Sequence, residues 1–178
     1  MLEIVGFIVL SLLLLIGAIL AIAARRPNTF RTARTALIGS PPEHLFPLIN
    51  DLRQMNTWNP YALRDATGTT TYRGPASGKG AAFAFAGPKS GTGSIEIVES
   101  SAPRSVVMRL LMVKPFKVDN TVDFTLQPEG SATAVTWAMS GRQSLMAKAM
   151  TLFIDCEKMM GRDFEQGLAN LKAIAERA

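Results

Sequence analysis

Three regimes of hydrophobic patterning divide the chain. From Ile4 to Ala24 (IVGFIVLSLLLLIGAILAIAA) the run is unbroken, with no charge and Ser11 as its one polar side chain. Wound as a helix it reaches about 31 Å, the depth of a bilayer's hydrocarbon core. All its backbone groups can be paired internally, as lipid requires. The second regime begins at Thr29, where β-branched and alternating residues to Ile38 predict a strand. Ser40-Pro41-Pro42-Glu43 then reads as a capping box, with Ser40 at the N-cap and proline at the first helical position. The next helix should carry Leu45, Phe46, Leu48 and Ile49 inward. A second short helix is expected over Leu52 to Asn56, ending before Asn59-Pro60.

From about Ala66 to Arg142 the chain reads as hairpins, punctuated by Gly- and Pro-rich turns at Gly74-Pro75, Gly87-Pro88, Lys114-Pro115 and Pro128-Glu129-Gly130. Period-two patterning assigns faces between the turns. Phe83 and Phe85 share a face. Met108, Leu110 and Met112 alternate with Arg109 and Leu111. Asn120, Val122 and Phe124 alternate with Asp119, Thr121 and Asp123, and Val135, Trp137 and Met139 alternate with Thr136 and Ala138. Turns this short join antiparallel neighbours. The third regime, Ser144 to Arg177, has no proline. Met146, Met150, Phe153, Glu157, Met160, Phe164, Leu168 and Leu171 recur at steps of three and four, which predicts one long helix with a single apolar face. It is the only large element available to cover the sheet.

Composition narrows the function classes. The 178 residues hold one His and one Cys, which excludes a disulfide scaffold, a Cys/His zinc site and any two-histidine mechanism. Neither a metal nor another cofactor is expected. The net charge is +5, but outside the Arg25-Arg26-Arg31-Arg34 cluster the basic residues are scattered, so nucleic acid is not an expected partner. Gly74-Pro75-Ala76-Ser77-Gly78-Lys79-Gly80 is no phosphate loop, because Arg73 and Gly80 stand where a glycine and a Ser/Thr are needed.

The apolar run has two readings. A cleaved signal peptide would explain Ala21-Ile22-Ala23, but the run exceeds the usual signal core and no Lys or Arg precedes it. A retained anchor is the better fit. Residues 1–24 are read as a transmembrane helix, 25–28 as a linker and 29–178 as one domain. The arginines after the run place that domain in the cytoplasm and the chain in the inner (cell) membrane as a single-pass protein.

Local residues add a resemblance. Ser40-Pro41-Pro42-Glu43 followed by Leu45-Phe46, Trp58-Asn59-Pro60-Tyr61, Gly78-Lys79-Gly80, Gly91-Thr92-Gly93-Ser94 and Gly161-Arg162-Asp163-Phe164-Glu165-Gln166-Gly167-Leu168 resemble the SRPBCC (START/polyketide-cyclase-like) superfamily. The likeness is to a bacterial subgroup with an N-terminal membrane helix. It implies an α+β helix-grip fold: a curved antiparallel sheet of about seven strands around a long C-terminal helix, with two short helices after the first strand. It also implies a cavity between sheet and helix. The inward faces assigned above would line it with Phe83, Phe85, Met108, Leu110, Asn120, Val122, Trp137, Met139, Met150, Phe153, Glu157 and Met160.

The expected function is a membrane-anchored, non-catalytic binding protein for a hydrophobic small molecule or lipid, since methionine-rich apolar faces adapt to exchangeable partners. One alternative is a cyclase/dehydratase-like enzyme. In it Glu157, set among apolar residues, would be a desolvated acid/base, with Asn120 assisting. Another is a membrane-tethered interaction module with a filled core.

Overall fold

The computed structural model describes residues 2–65 and 67–177. The chain divides into two compact units, residues 1–30 with 142–156, and residues 31–141 with 157–178.

The first unit is dominated by α1 (Leu2–Arg25), with mean hydropathy 3.0 over Glu3–Arg25. It is long and apolar enough to cross a membrane, and its large side chains are exposed along its length. The short helix α5 (Leu145–Met150) packs on it, capped by Ser144, whose hydroxyl oxygen accepts from the Ala147 amide. The single long helix expected from Ser144 to Arg177 is therefore corrected. Helical hydrogen bonding lapses after α5 in a turn through Ile154, and α6 (Cys156–Ala175) begins anew. The sequence offers two reasons. Thr151 and Ile154 are β-branched, and Asp155 is a residue type that favours an N-cap over a helix interior.

The second unit is built on a seven-stranded antiparallel, curved sheet of order β1-β7-β6-β5-β4-β3-β2. Its strands are β1 (Thr29–Ile38), β2 (Thr69–Arg73), β3 (Ala82–Gly87), β4 (Gly91–Ser101), β5 (Ser105–Lys114), β6 (Val118–Glu129) and β7 (Ala132–Arg142). Consecutive strands from β2 to β7 pair as hairpins, which is what the short turns dictate. Between β1 and β2 lie α2 (Pro42–Asn50), α3 (Leu52–Met55) and α4 (Pro60–Arg64).

Two local expectations change. Pro41, not Ser40, stands at the N-cap of α2, and no side chain caps it. Ser40 is buried, and its carbonyl accepts the Thr133 hydroxyl at 2.7 Å, which ties the chain to β7. The helix α4 was not expected, although Asn59 at its N-cap and Pro60 after it are a start signal rather than a stop.

The core lies on the sheet's inner face, where α2 packs against β5 and β6 and Phe164 of α6 meets Trp137 of β7. Trp58 is fully buried and its indole N–H donates to the Leu48 carbonyl at 2.9 Å, so it fastens the α3–α4 corner to α2. Its ring stands edge-on to both Phe124 and Trp137, at 5.8 Å each. Trp137 stacks on Phe164 of α6 at 4.5 Å and 12°. A Cβ at Gly167 would come within 2.5 Å of the Trp137 ring, so this glycine lets α6 lie directly on it. The clean alternation of β6, with Asn120, Val122, Phe124 and Leu126 all buried, arises because one face meets this core.

Candidate functional site

Residues paired directly across a sheet share a face. The register therefore resolves the inner face into rows. One row runs Ser100–Val106–Phe124–Trp137 and the next Ile97–Met108–Val122–Met139, and every member is buried except half-buried Ser100. The third row is Tyr72–Phe83–Ile95–Leu110–Asn120–Gly141. There Phe83 and Asn120 are buried, while Tyr72, Ile95 and Leu110 are only half-buried. The fourth row is Phe85–Gly93–Met112–Val118, half-buried except at Gly93. The face is thus sealed at the aromatic end and opens progressively over the third and fourth rows.

At the boundary between sealed and open rows stands Asn120, 8% exposed. Its Nδ2 donates to the Met139 sulfur at 3.6 Å, a weak acceptor, and no protein group donates to its Oδ1. Reversing the amide would only exchange which of its atoms lacks a strong partner. A buried polar atom left this way costs about 1–3 kcal/mol. The open rows therefore offer apolar surface with one orphaned amide at its inner edge.

Of the twelve residues singled out from sequence, Phe83, Phe85, Met108, Leu110, Asn120, Val122, Trp137 and Met139 share the sheet's inner face. Met160 is half-buried on α6. Trp137 is committed to the aromatic stack, so the space between sheet and helix that was expected there is filled.

Three residues are corrected. Met150 and Phe153 belong to the first unit and are exposed, Phe153 at 73%. Glu157 is also not inward: its side chain is 68% exposed and lies 3.7 Å from the Arg34 guanidinium. Glu157 shares its helical face with buried Gly161 and Phe164, but at this first turn of α6 that face meets the Arg34 guanidinium of β1 and solvent rather than apolar side chains. Ile95 and Gly93, absent from the expected lining, also sit in the open rows, as does Met112, which shares the face expected for Met108 and Leu110. Gly93 carried a signal, because a glycine inside a strand marks close approach: a Cβ there would lie 2.7 Å from the Phe85 ring.

A cleft of about 210 Å³ opens beside β2, lined by residues that include Leu52, Arg53, Tyr72, Arg73, Gly74 and Ala82. The Arg53 guanidinium lies over the Tyr72 ring at 4.2 Å, and the Tyr72 hydroxyl accepts from Asn56 Nδ2 at 3.0 Å. A second polar cluster joins α4 to α6, where Arg64 pairs with Asp163 beside Tyr61. Burial, then the Asp163 charge and hydrogen bond, push the Tyr61 phenol well above its usual range. Among the described residues no three His, Cys, Asp or Glu side chains are grouped to hold a metal.

The family model described as polyketide cyclase / dehydrase and lipid transport matches residues 29–176. The chain belongs to that family. No curated protein matches it. Solved structures show the same fold, that of the SRPBCC superfamily. Protein MLL2253 from Mesorhizobium loti superposes with a TM-score of 0.62 at 16% identity, covering 84% of this chain and 98% of its own. Protein CV1439 from Chromobacterium violaceum gives 0.58 at 18%, covering 85% and 99%. The Aha1 protein from Colwellia psychrerythraea, a dimer in solution, gives 0.59 at 15%, covering 83% and 96%. At these identities the likeness concerns fold, and the family's helix-grip scaffold hosts more than one activity. In this family member the chemistry must be argued from the open rows.

Proposed function

We propose that this chain is a membrane-anchored binding protein for a hydrophobic small molecule or lipid, held over the open rows of the inner sheet face. The single observation that carries the reading is the orphaned Oδ1 of buried Asn120 at the edge of half-buried Phe85, Ile95, Leu110 and Met112. An apolar ligand would cover those side chains, gaining about 25 cal/mol for each Å² removed from water. A hydroxyl or amide N–H on it would satisfy Oδ1. The family's scope, which includes lipid transport, agrees with such a ligand.

In this reading α1 is retained as a single membrane span. Its length and hydropathy support that, and Arg25 and Arg26 favour the cytoplasmic side for the rest of the chain. Catalysis through Glu157 is not carried forward, since the open rows do not include it and it faces Arg34.

The test is native mass spectrometry of the full chain purified in mild detergent, with titration of an apolar fluorophore. Bound lipid or saturable fluorophore binding, lost in Leu110→Lys, is the expected result. A chain that arrives empty and binds no fluorophore overturns the proposal.

A further inference from the structure

Within the first unit, α5 and the turn after it present an apolar face that stays exposed among the described residues. Leu145, Met146 and Met150 fall on one side of α5 by helical spacing, and the turn continues with Phe153 and Ile154. All five are exposed, Met146 at 67% and Phe153 at 73%. An exposed apolar run of this size is not ordinary surface.

The opposite side of α5 is fixed to the end of α1. Lys148 is 4% exposed, and its ammonium donates to the Arg26 carbonyl at 3.0 Å and to Asn28 Oδ1. The Arg26 guanidinium in turn donates to the Thr151 hydroxyl at 3.2 Å and to its carbonyl at 3.3 Å. Burying a lysine demands such partners, so α5 is held to the residues that end the apolar helix. Around this junction Arg25, Arg26 and Arg142 are exposed.

We infer that the Leu145–Ile154 segment is an interfacial anchor that lies in the membrane surface, its apolar face among the upper acyl chains and the flanking arginines among anionic headgroups. The inference rests on α1 being a membrane span. If α1 spans, its terminal arginines stand at headgroup depth. The Lys148 contacts then set α5 at that same depth, where an apolar face flanked by basic residues finds its natural solvent. A single span alone leaves a domain free to swivel about its linker. A second attachment beside it restricts that freedom.

The test uses the full chain in vesicles of phosphatidylcholine with phosphatidylglycerol, doped with lipid carrying a spin label near the headgroup or deep in the chain. The native indoles of Trp58 and Trp137 are 0% and 4% exposed, so lipid labels do not reach them. In Phe153→Trp the new indole should emit to the blue and lose most of its intensity to the shallow label. In Phe7→Trp, on α1, the indole should be quenched by lipid labels whether or not α5 is bound. Omitting phosphatidylglycerol should lessen the quenching in Phe153→Trp and leave that in Phe7→Trp unchanged.

Quenching at Phe7→Trp without quenching at Phe153→Trp overturns the anchor and leaves the span standing. No quenching at Phe7→Trp overturns both. A blue-shifted but unquenched indole in Phe153→Trp means that a second copy covers the face, and also overturns the proposal.

Discussion

Arg34 of β1 lies across Gly161 of α6, so close that a Cβ on this glycine would collide with the guanidinium. Its Nε donates to Glu165 at 2.8 Å and Nη1 approaches Glu157 at 3.7 Å, one carboxylate a helical turn to each side of the glycine. Gly167, further along the same helix, makes room instead for the ring of Trp137 and the ring of Pro60. The same substitution should therefore behave differently at the two sites. At Gly161, alanine displaces the end of a flexible side chain. The loss of exposed ion pairs, about 0.2–1 kcal/mol, is offset by the roughly 1 kcal/mol that alanine gains over glycine in a helix. At Gly167 it drives a methyl into fixed rings, at a cost of about 1–3 kcal/mol. Denaturant melts should find Gly161→Ala near neutral and Gly167→Ala destabilised; equal effects would contradict this account of α6.

Glu157→Gln is the direct check on where the site is. The carboxylate is exposed and lies 3.7 Å from the Arg34 guanidinium. Its loss should change stability by no more than about 1 kcal/mol and leave fluorophore binding as it was. A loss of binding or of any turnover in this variant would return Glu157 to the site and revive acid/base chemistry.

Much of the sheet was legible because period two survives wherever one face is covered. Asn120, Val122, Phe124 and Leu126 fall inward as their alternation says, and the turns dictated the hairpin order. The C-terminal region was not legible in the same way. Steps of three and four from Met146 to Leu171 fit one helix, but periodicity describes a continuous helix and cannot see a lapse in it. Lys148 illustrates the difficulty. A lysine reads as solvent-facing, yet tertiary contacts to Arg26 and Asn28 bury it and turn Met146 and Met150 outward. The opening of the inner face over its third and fourth rows was equally hidden, since the pattern assigns half-buried Leu110 and fully buried Met108 alike to that face.

Asp65 supplies a pH dependence. Its Oδ2 accepts from the Ser90 hydroxyl and amide, each at 2.7 Å, and from the Lys89 amide at 3.0 Å, so it pins the β3–β4 turn. The Ser90 hydrogen bonds, side chain first, with the Lys89 amide and charge, hold its carboxyl below the usual carboxylate range. A depressed folded value means that its stabilisation is complete above the unfolded value of about 4 and is lost as pH falls through the folded one. Asp119, lowered by the hydrogen bonds and charge of Arg109, acts in the same sense. In thermal melts of the full chain, Asp65→Asn should be less stable than the parent at neutral pH. The gap should close in acid below about pH 4. A gap that is constant with pH would show that the carboxylate's charge is not what holds the turn.

Asn120→Leu separates stability from binding at the proposed site. The amide makes one weak bond to sulfur and leaves Oδ1 unmatched in an apolar layer between Leu110 and Gly141. A leucine of similar volume removes that mismatch, so the empty protein should gain about 1–2 kcal/mol. If Oδ1 exists to receive a donor from a ligand, the same change should weaken retention of that ligand by at least the worth of one hydrogen bond, about 0.5–1.5 kcal/mol. Paired denaturation and native mass spectrometry measure both. A variant more stable and equally well loaded would assign the binding surface to apolar contact alone. One less stable would mean that Asn120 is satisfied in the folded chain and that the site has lost its polar handle.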